Sequence, residues 1–466
     1  MHRTFTAYSF SMGRVCRLLC FLSTHTNRGE NGEDYEWERK TMEQVFCKQR
    51  RKGRLVALLG TIGFILCLCY GYYWMKINVP SEMKLLLGQK EEFNFSVPME
   101  ASIFSEEAQG VLYINQEPLS EEVIDIDLQK PFSVSSESLG EYEVLLKLFG
   151  IIPIKEISVE VIEELEVIPG GDVIGLQIET DGILVLGTGE VTLKDGTRIE
   201  PVKGILKSGD YIVGINDKIG ITRQEFIDSI GVEKINLTVN RDGKLISLQV
   251  QPVQDYSGKY KLGAWIRTDA QGIGTVTYVT SNGGFGALGH GITDVDTGLL
   301  MEIGTGTLFD AEVLSVVKGK NGTPGELIGI IRQSGMSRIG EIDENCTKGI
   351  YGKMKLGMVH GEEAVPVALK QEIELGPATI LCQVDSEVRE YEINIERIEL
   401  GRTNDNKGLV IKITDEALLK KTGGIVQGMS GSPIMQNGKL IGAVTHVLVN
   451  DPTRGYGIFI ENMLEH

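Results

Sequence analysis

Gly428-Met429-Ser430-Gly431-Ser432-Pro433 runs directly into Ile434-Met435-Gln436-Asn437-Gly438-Lys439-Leu440-Ile441-Gly442-Ala443-Val444. Ser430 has a glycine two positions before it, another immediately after, and a proline three positions on. A hydroxyl is a poor nucleophile near neutral pH and must project from a tight turn toward a base. Gly428 lets the backbone fold so that the N–H groups of Gly428 and Ser430 converge. Such a pair holds the negative oxygen of a tetrahedral intermediate, at about 3–4 kcal/mol per donor. Downstream of the serine the chain reads as a strand, an Asn437-Gly438 turn and a second strand, with Gly455-Tyr456-Gly457-Ile458-Phe459-Ile460 as a closing strand. A bare G-x-S-G also joins strands that carry no chemistry. The proline, the paired strands and a histidine upstream favour catalysis.

A serine nucleophile needs a group to take its proton, and a positioned imidazole is the common solution. Beyond the apolar segment at 55–75, the histidines are His290, His360, His446 and His466. His290 closes the glycine-rich turn Gly286-Ala287-Leu288-Gly289-His290-Gly291, from which a ring can point into a cleft, and is the expected general base. His360 is the runner-up, His446 is expected to line the cleft wall, and His466 is discounted. A third group should orient the imidazole. Residue types leave Asp294, Asp296, Asp385 and Asp415 open for that role. Gly284-Phe285-Gly286-Ala287-Leu288-Gly289 matches a dinucleotide fingerprint, but it lacks a βαβ context and reads as a turn shaping the site. Neither a H-E-x-x-H motif nor a phosphate loop is present, and the sequence calls for no cofactor.

The chain has 466 residues and a formal net charge of −18, which argues against nucleic acid as a partner. Its 57 glycines suit many tight turns in a β-rich fold. Of seven cysteines, Cys346 and Cys382 alone lie beyond the apolar segment; they are one conceivable pair and no framework, and no metal site is expected.

Residues 1–54 read as a cytoplasmic N-terminal segment, with Met42, just ahead of Lys48, Arg50, Arg51, Lys52 and Arg54, as the expected start and 1–41 as an extension. Residues 55–75 carry no charge and are long enough to cross a hydrocarbon core of ~30 Å at ~1.5 Å per residue. The basic flank puts the N-terminus in the cytoplasm, and Tyr70, Tyr72, Tyr73 and Trp74 mark the outer interface. An uncleaved anchor is favoured over a signal peptide, since no small-x-small cleavage site comes after it. Residues 76–165 alternate apolar and polar in short runs and read as a small β-rich domain. Residues 166–252 resemble a PDZ domain, with Val173, Ile174, Gly175 and Leu176 in the carboxylate-binding loop and strand, Gly209-Asp210-Tyr211-Ile212-Val213 as the signature turn and strand, and 226–230 as the groove helix. That resemblance implies capture of a peptide C-terminus, or of the chain itself, by β-augmentation. Residues 253–466 show the short strands and Gly turns of an all-β unit, sized for two six-stranded barrels.

The order of membrane anchor, PDZ, Gly-His-Gly-Ile-Thr-Asp-Val-Asp-Thr-Gly and Gly-Met-Ser-Gly-Ser-Pro resembles the stage IV sporulation protein B (SpoIVB) family of serine endopeptidases, grouped with trypsin-like enzymes. The resemblance implies a mainly β chain with a trypsin-like double β-barrel. It places the family's nucleophile on Ser430, its base on His290 and its acidic partner on Asp415, with Gly428 and Ser430 forming the oxyanion hole. It further implies limited proteolysis between the two spore membranes. A sporulation membrane regulatory protein is cut there, self-cleavage occurs, and a late mother-cell sigma factor is activated. Two other readings remain: a PDZ adaptor whose barrel does no chemistry, and an HtrA-like quality-control protease, in which the PDZ would come after the protease rather than before it.

Overall fold

The computed structural model describes residues 56–74, 81–93, 100–104, 111–118, 124–127, 130–148, 152–332, 335–361, 363–400 and 406–466. The expected start at Met42 and the basic flank lie outside them. Helix α1, Val56–Trp74, has a mean hydropathy of 1.8 and is exposed on every side, so it is long and apolar enough to cross a membrane. It belongs to a unit separate from the one that begins at Trp74.

The second unit is mainly β. Its first part holds a five-stranded sheet, in which Glu82–Leu86 runs parallel to Ile152–Ile162, and a four-stranded sheet built around Phe132–Ser136. The apolar alternation of those strands closes one core, with Leu85, Phe93, Leu112, Phe132 and Val159 inside.

The peptidase portion consists of two rings of six strands. The first joins β1 (Val173–Thr188), β2 (Ala264–Val279), β3 (Gly284–Ala287), β4 (Ile303–Val317), β5 (Arg338–Cys346) and β6 (Gly349–Met354). Pairing runs β1–β2–β3–β6–β5–β4, and β4 pairs back onto β1 to shut the ring. The second is a closed barrel of β7 (Gly376–Gln383), β8 (Val388–Ile398), β9 (Leu409–Ile413), β10 (Pro433–Gln436), β11 (Lys439–Leu448) and β12 (Asp451–Phe459), in the order β7–β8–β9–β12–β11–β10. Closure leaves neither ring with a free edge, the usual way an all-β domain avoids strand-to-strand aggregation. Each ring fills its own core. Ile174, Ile178, Val276, Phe285 and Ile350 pack in the first; Ile380, Ile393, Ile411, Ile434 and Val444 pack in the second.

A lobe intervenes between the two halves of the first ring. Strands β1 and β2 are long enough to leave that ring and enter another core. Ile178 packs in the barrel while Ile183 and Val185, past Gly182 at φ +103°, pack with Ile212, Phe226 and Leu237. The lobe adds Tyr211–Ile215, Ile235–Arg241 and Lys244–Val250, and a short helix α2 (Arg223–Asp228) started by a Thr222/Glu225 capping box. The first stave of the first ring comes from 173–179, ahead of the lobe. That pairing corrects the roles expected for Val173, Ile174, Gly175 and Leu176. These residues pair with Thr275–Gly272 on one side and, from Ile174 on, with Asp310–Leu308 on the other, so no edge is open to an added peptide. A Cβ on Gly175 would lie 2.5 Å from Ile331 Cγ2, so the glycine serves close strand packing.

Candidate active site

Ser430 lies in the loop between Val426 and β10. Gly428 and Gly431 hold φ of +97° and +96°, backbone that a side chain resists. A Cβ on Gly431 would sit 2.0 Å from Thr275 O and 2.5 Å from Leu288 N, so the loop lies directly on the first barrel. Strand β2 staples it there. Thr275 N–H donates to Ser430 O (3.0 Å), Thr275 Oγ1 to Gly428 O (2.8 Å) and Thr277 Oγ1 to Gly431 O (2.8 Å). On the other side Gly431 N–H donates to Val444 O of β11 at 2.7 Å. Met429 N–H and Ser432 N–H are spent within the loop, on Val426 O and Met429 O. Among the described residues, the amides of Gly428 and Ser430 have no protein acceptor, as an oxyanion hole requires.

His290 comes after a turn in which Leu288 (φ +69°) and Gly289 (φ +66°) are both left-handed. Leu288 N–H donates to Thr275 O (3.2 Å), the residue that staples the serine loop. A Cβ on Gly289 would meet Thr445 and Ile458 side chains at 2.9 Å, so this first-barrel turn leans on β11 and β12 of the second. The His290 ring has Nδ1 3.0 Å from Gly291 O. A proton on Nδ1 donated to that carbonyl leaves Nε2 as the basic nitrogen. Burial lowers the His290 pKa below its ordinary value, against a smaller opposing pull from the Gly291 carbonyl. The His446 ring lies beside it, centroids 5.0 Å apart. Ser430 Oγ donates to Thr445 O at 2.8 Å. A hydroxyl has one proton, so in this resting geometry it is not directed at the imidazole, and rotation about χ1 must precede attack.

The structure gives the candidate carboxylates other partners. Asp415, the expected third catalytic member, is the N-cap of helix α3 (Glu416–Thr422), its side chain accepting from Leu418 N–H at 2.8 Å. A carboxylate at that position satisfies an orphan amide and the positive helix end. Asp385 pairs with Lys421, and Asp294 and Asp296 both pair with Arg267. His360, the runner-up base, hydrogen-bonds Asp172, which also accepts its backbone N–H at 2.9 Å. His466 stacks on Tyr351 and stands 3.5 Å from Cys346 Sγ by Nε2, with Glu344 3.2 Å from Nδ1. Cys346 and Cys382 are both free thiols.

The cap predicts a clean separation. Asp415→Asn keeps an acceptor at the helix start and should leave the labelling of Ser430 by a fluorophosphonate unchanged. Asp415→Ala should lose about 1 kcal/mol of stability, read as a lower melting temperature. A loss on the order of 10⁴ in labelling for the asparagine variant, at normal melting temperature, would restore Asp415 to the catalytic set.

Sequence reasoning missed Thr275, Thr277 and Asn345. The two threonines are fully buried. Asn345 clamps the chain beyond His290 by accepting from Ile292 N–H (2.7 Å) and donating to Ile292 O and Met301 O (2.9 Å each). Buried threonines in the β-rich run 274–280 signalled something other than ordinary packing; nothing local to Asn345 did.

Two six-stranded barrels meeting at a glycine-framed serine and a histidine turn form the frame of a serine endopeptidase. Residues 258–464 match the family described as SpoIVB peptidase S55. No curated protein matches the chain. Two solved structures are similar over part of it. The Rv3671c protease from M. tuberculosis in its active form has 13% identity and a TM-score of 0.22, over 42% of this chain and 72% of the other. The same protease in its inactive form has 14% identity and a TM-score of 0.21, over 41% and 81%.

Proposed function

We propose that Ser430 is the nucleophile, His290 the general base, and the Gly428 and Ser430 amides the oxyanion hole of a membrane-tethered endopeptidase. The supporting observation is the stapling of the serine loop and the histidine turn to one residue, Thr275, across the barrel joint. In the proposed cycle Ser430 rotates off Thr445 O, and His290 Nε2 takes its proton as the oxygen attacks the scissile carbonyl. The carbonyl oxygen becomes the oxyanion between the two amides. His290 then returns the proton to the departing amine, and water repeats the sequence on the acyl-enzyme. Gly291 O, holding Nδ1, orients the ring in place of a carboxylate.

The physiological reading rests on the family match and the apolar helix. The anchor holds the peptidase outside the cytoplasm, between the two spore membranes. There it performs limited regulatory cleavage of a sporulation membrane protein, and of itself, so that a late mother-cell sigma factor is activated. Peptide recognition, whether of C-termini or of the chain itself, falls to the lobe, whose sheet ends on Lys244–Val250.

The test is the pH dependence of Ser430 labelling. A protonated imidazole cannot accept the serine proton, so the rate should rise as pH climbs through the His290 pKa. Burial lowers that value, so half-maximal labelling is expected below pH 6.5, the ordinary histidine value. A flat profile from pH 5 to 8 would reject a histidine base. Absence of Ser430 labelling in folded protein would favour the adaptor reading.

A further inference from the structure

Deepening the Ser430–His290 reading, on which it rests, we propose that Arg267 is a positioning residue for catalysis, through which the lobe becomes part of the catalytic unit. Arg267 stands on β2 where that strand lies in the lobe. Its guanidinium pairs with Asp294, whose side chain is fully buried, and with Asp296 at 2.7 Å. Asp294 is four residues beyond His290 and organises the turn there, its carboxylate accepting from Asp296 N–H (3.0 Å) and Thr297 N–H (2.8 Å). That segment begins at Gly291, whose carbonyl holds the His290 ring. It is clamped at its base by Asn345 and braced farther along by the lobe. Glu302 N–H donates to Tyr211 Oη (3.0 Å), and a Cβ on Gly209 would reach Leu299 at 2.6 Å.

Strand β2 thus serves both catalytic segments. Thr275 and Thr277 hold the serine loop, and Arg267, separated from them by an even number of positions on the same strand, holds the loop just beyond the histidine. A buried carboxylate left without its cation is costly and will pull its turn toward water. A displacement of about 1 Å at a reacting group costs on the order of 10²-fold in rate.

The experiment measures fluorophosphonate labelling of Ser430 in the detergent-solubilised full chain, resolved into the maximal rate and the half-saturating concentration. Arg267→Ala should lower the maximal rate roughly tenfold to a hundredfold at unchanged half-saturation. Arg267→Lys should restore most of it. Adding Asp294→Asn to Arg267→Ala should recover part, because no unpaired charge then remains buried. Asp296→Ala, on the solvent side, should label like the wild type. A wild-type maximal rate in Arg267→Ala would overturn the proposal. So would a loss that tracks melting temperature and that lysine does not rescue. If the alanine variant fails to fold, Arg267→Met, which keeps the bulk of the side chain and removes its charge, reads the same maximal rate by itself, and a wild-type value there overturns the proposal equally. Wild-type protein that takes no label, or takes it elsewhere than Ser430, sinks the Ser430–His290 assignment and this inference with it.

Discussion

Ser430→Ala is expected to abolish self-cleavage, substrate cleavage and fluorophosphonate labelling together, with kcat falling on the order of 10⁶-fold. The size reflects the role. Without the oxygen there is no acyl-enzyme, and only binding and the oxyanion amides still favour hydrolysis, typically ~10³–10⁴ over water. The fold should survive. The hydroxyl's single hydrogen bond, to Thr445 O, is one net interaction of about 1 kcal/mol. The loop is held by bonds that alanine keeps: Thr275 N–H to Ser430 O, Thr275 Oγ1 to Gly428 O and Gly431 N–H to Val444 O. Circular dichroism and a melting temperature close to wild type, beside a chain that no longer shortens on storage, is the expected result. Persisting cleavage by purified mutant protein would show a different nucleophile.

Gly431→Ala should be nearly as damaging for a different reason. The new methyl would lie 2.0 Å from Thr275 O and 2.5 Å from Leu288 N, both backbone atoms that cannot step aside as a flexible side chain would. The loop must therefore lift off the first barrel by about 1 Å, against roughly 1–2 kcal/mol of left-handed strain at φ +96° and a packing loss of similar size. The serine then separates from the histidine turn, and labelling should drop by about 10²-fold or more. Gly438→Ala is the control. Gly438 is also left-handed, at φ +79°, but nothing lies within 4 Å of its Cβ position, so strain alone applies and activity should be kept. Equal labelling of the two variants would contradict the contact between the barrels at this loop.

The β character, the serine loop and the histidine turn were legible because each is a local pattern: glycines at fixed offsets, Asn-Gly between alternating strands, a histidine closing a Gly-rich turn. The provenance of the first stave was not. Val173–Thr188 is apolar at both ends of the strand, and hydrophobic alternation does not say which core a strand fills or how many strands flank it. Ile178 enters the barrel and Ile183 the lobe, with the passage falling at Glu179-Thr180-Asp181-Gly182, a stretch that by itself reads as an ordinary turn. A strand pairing with residues more than 90 positions away leaves no local trace, so the barrel's beginning was read as the PDZ's.

Asp415 is a different lesson. Asp415-Glu416-Ala417-Leu418-Leu419-Lys420-Lys421-Thr422-Gly423 carries an acidic N-cap, an acidic first turn, a basic last turn and a left-handed C-cap glycine, all readable as a capped helix. The pairing of Asp294 was reachable only in three dimensions, since the arginine that neutralises it stands on β2, 27 residues earlier in the chain.

The central claim is that one serine and one histidine from different barrels act together across the joint. A crystal structure of the full-length protein phosphonylated by a fluorophosphonate tests it most directly. The account predicts phosphorus on Ser430 Oγ, now rotated away from Thr445 O, and a phosphonyl oxygen about 2.7–3.1 Å from the Gly428 and Ser430 amides. It predicts His290 Nε2 within hydrogen-bond reach of the adduct. An adduct whose nearest imidazole is His360, paired with Asp172, or one lying outside the barrel joint, would contradict it.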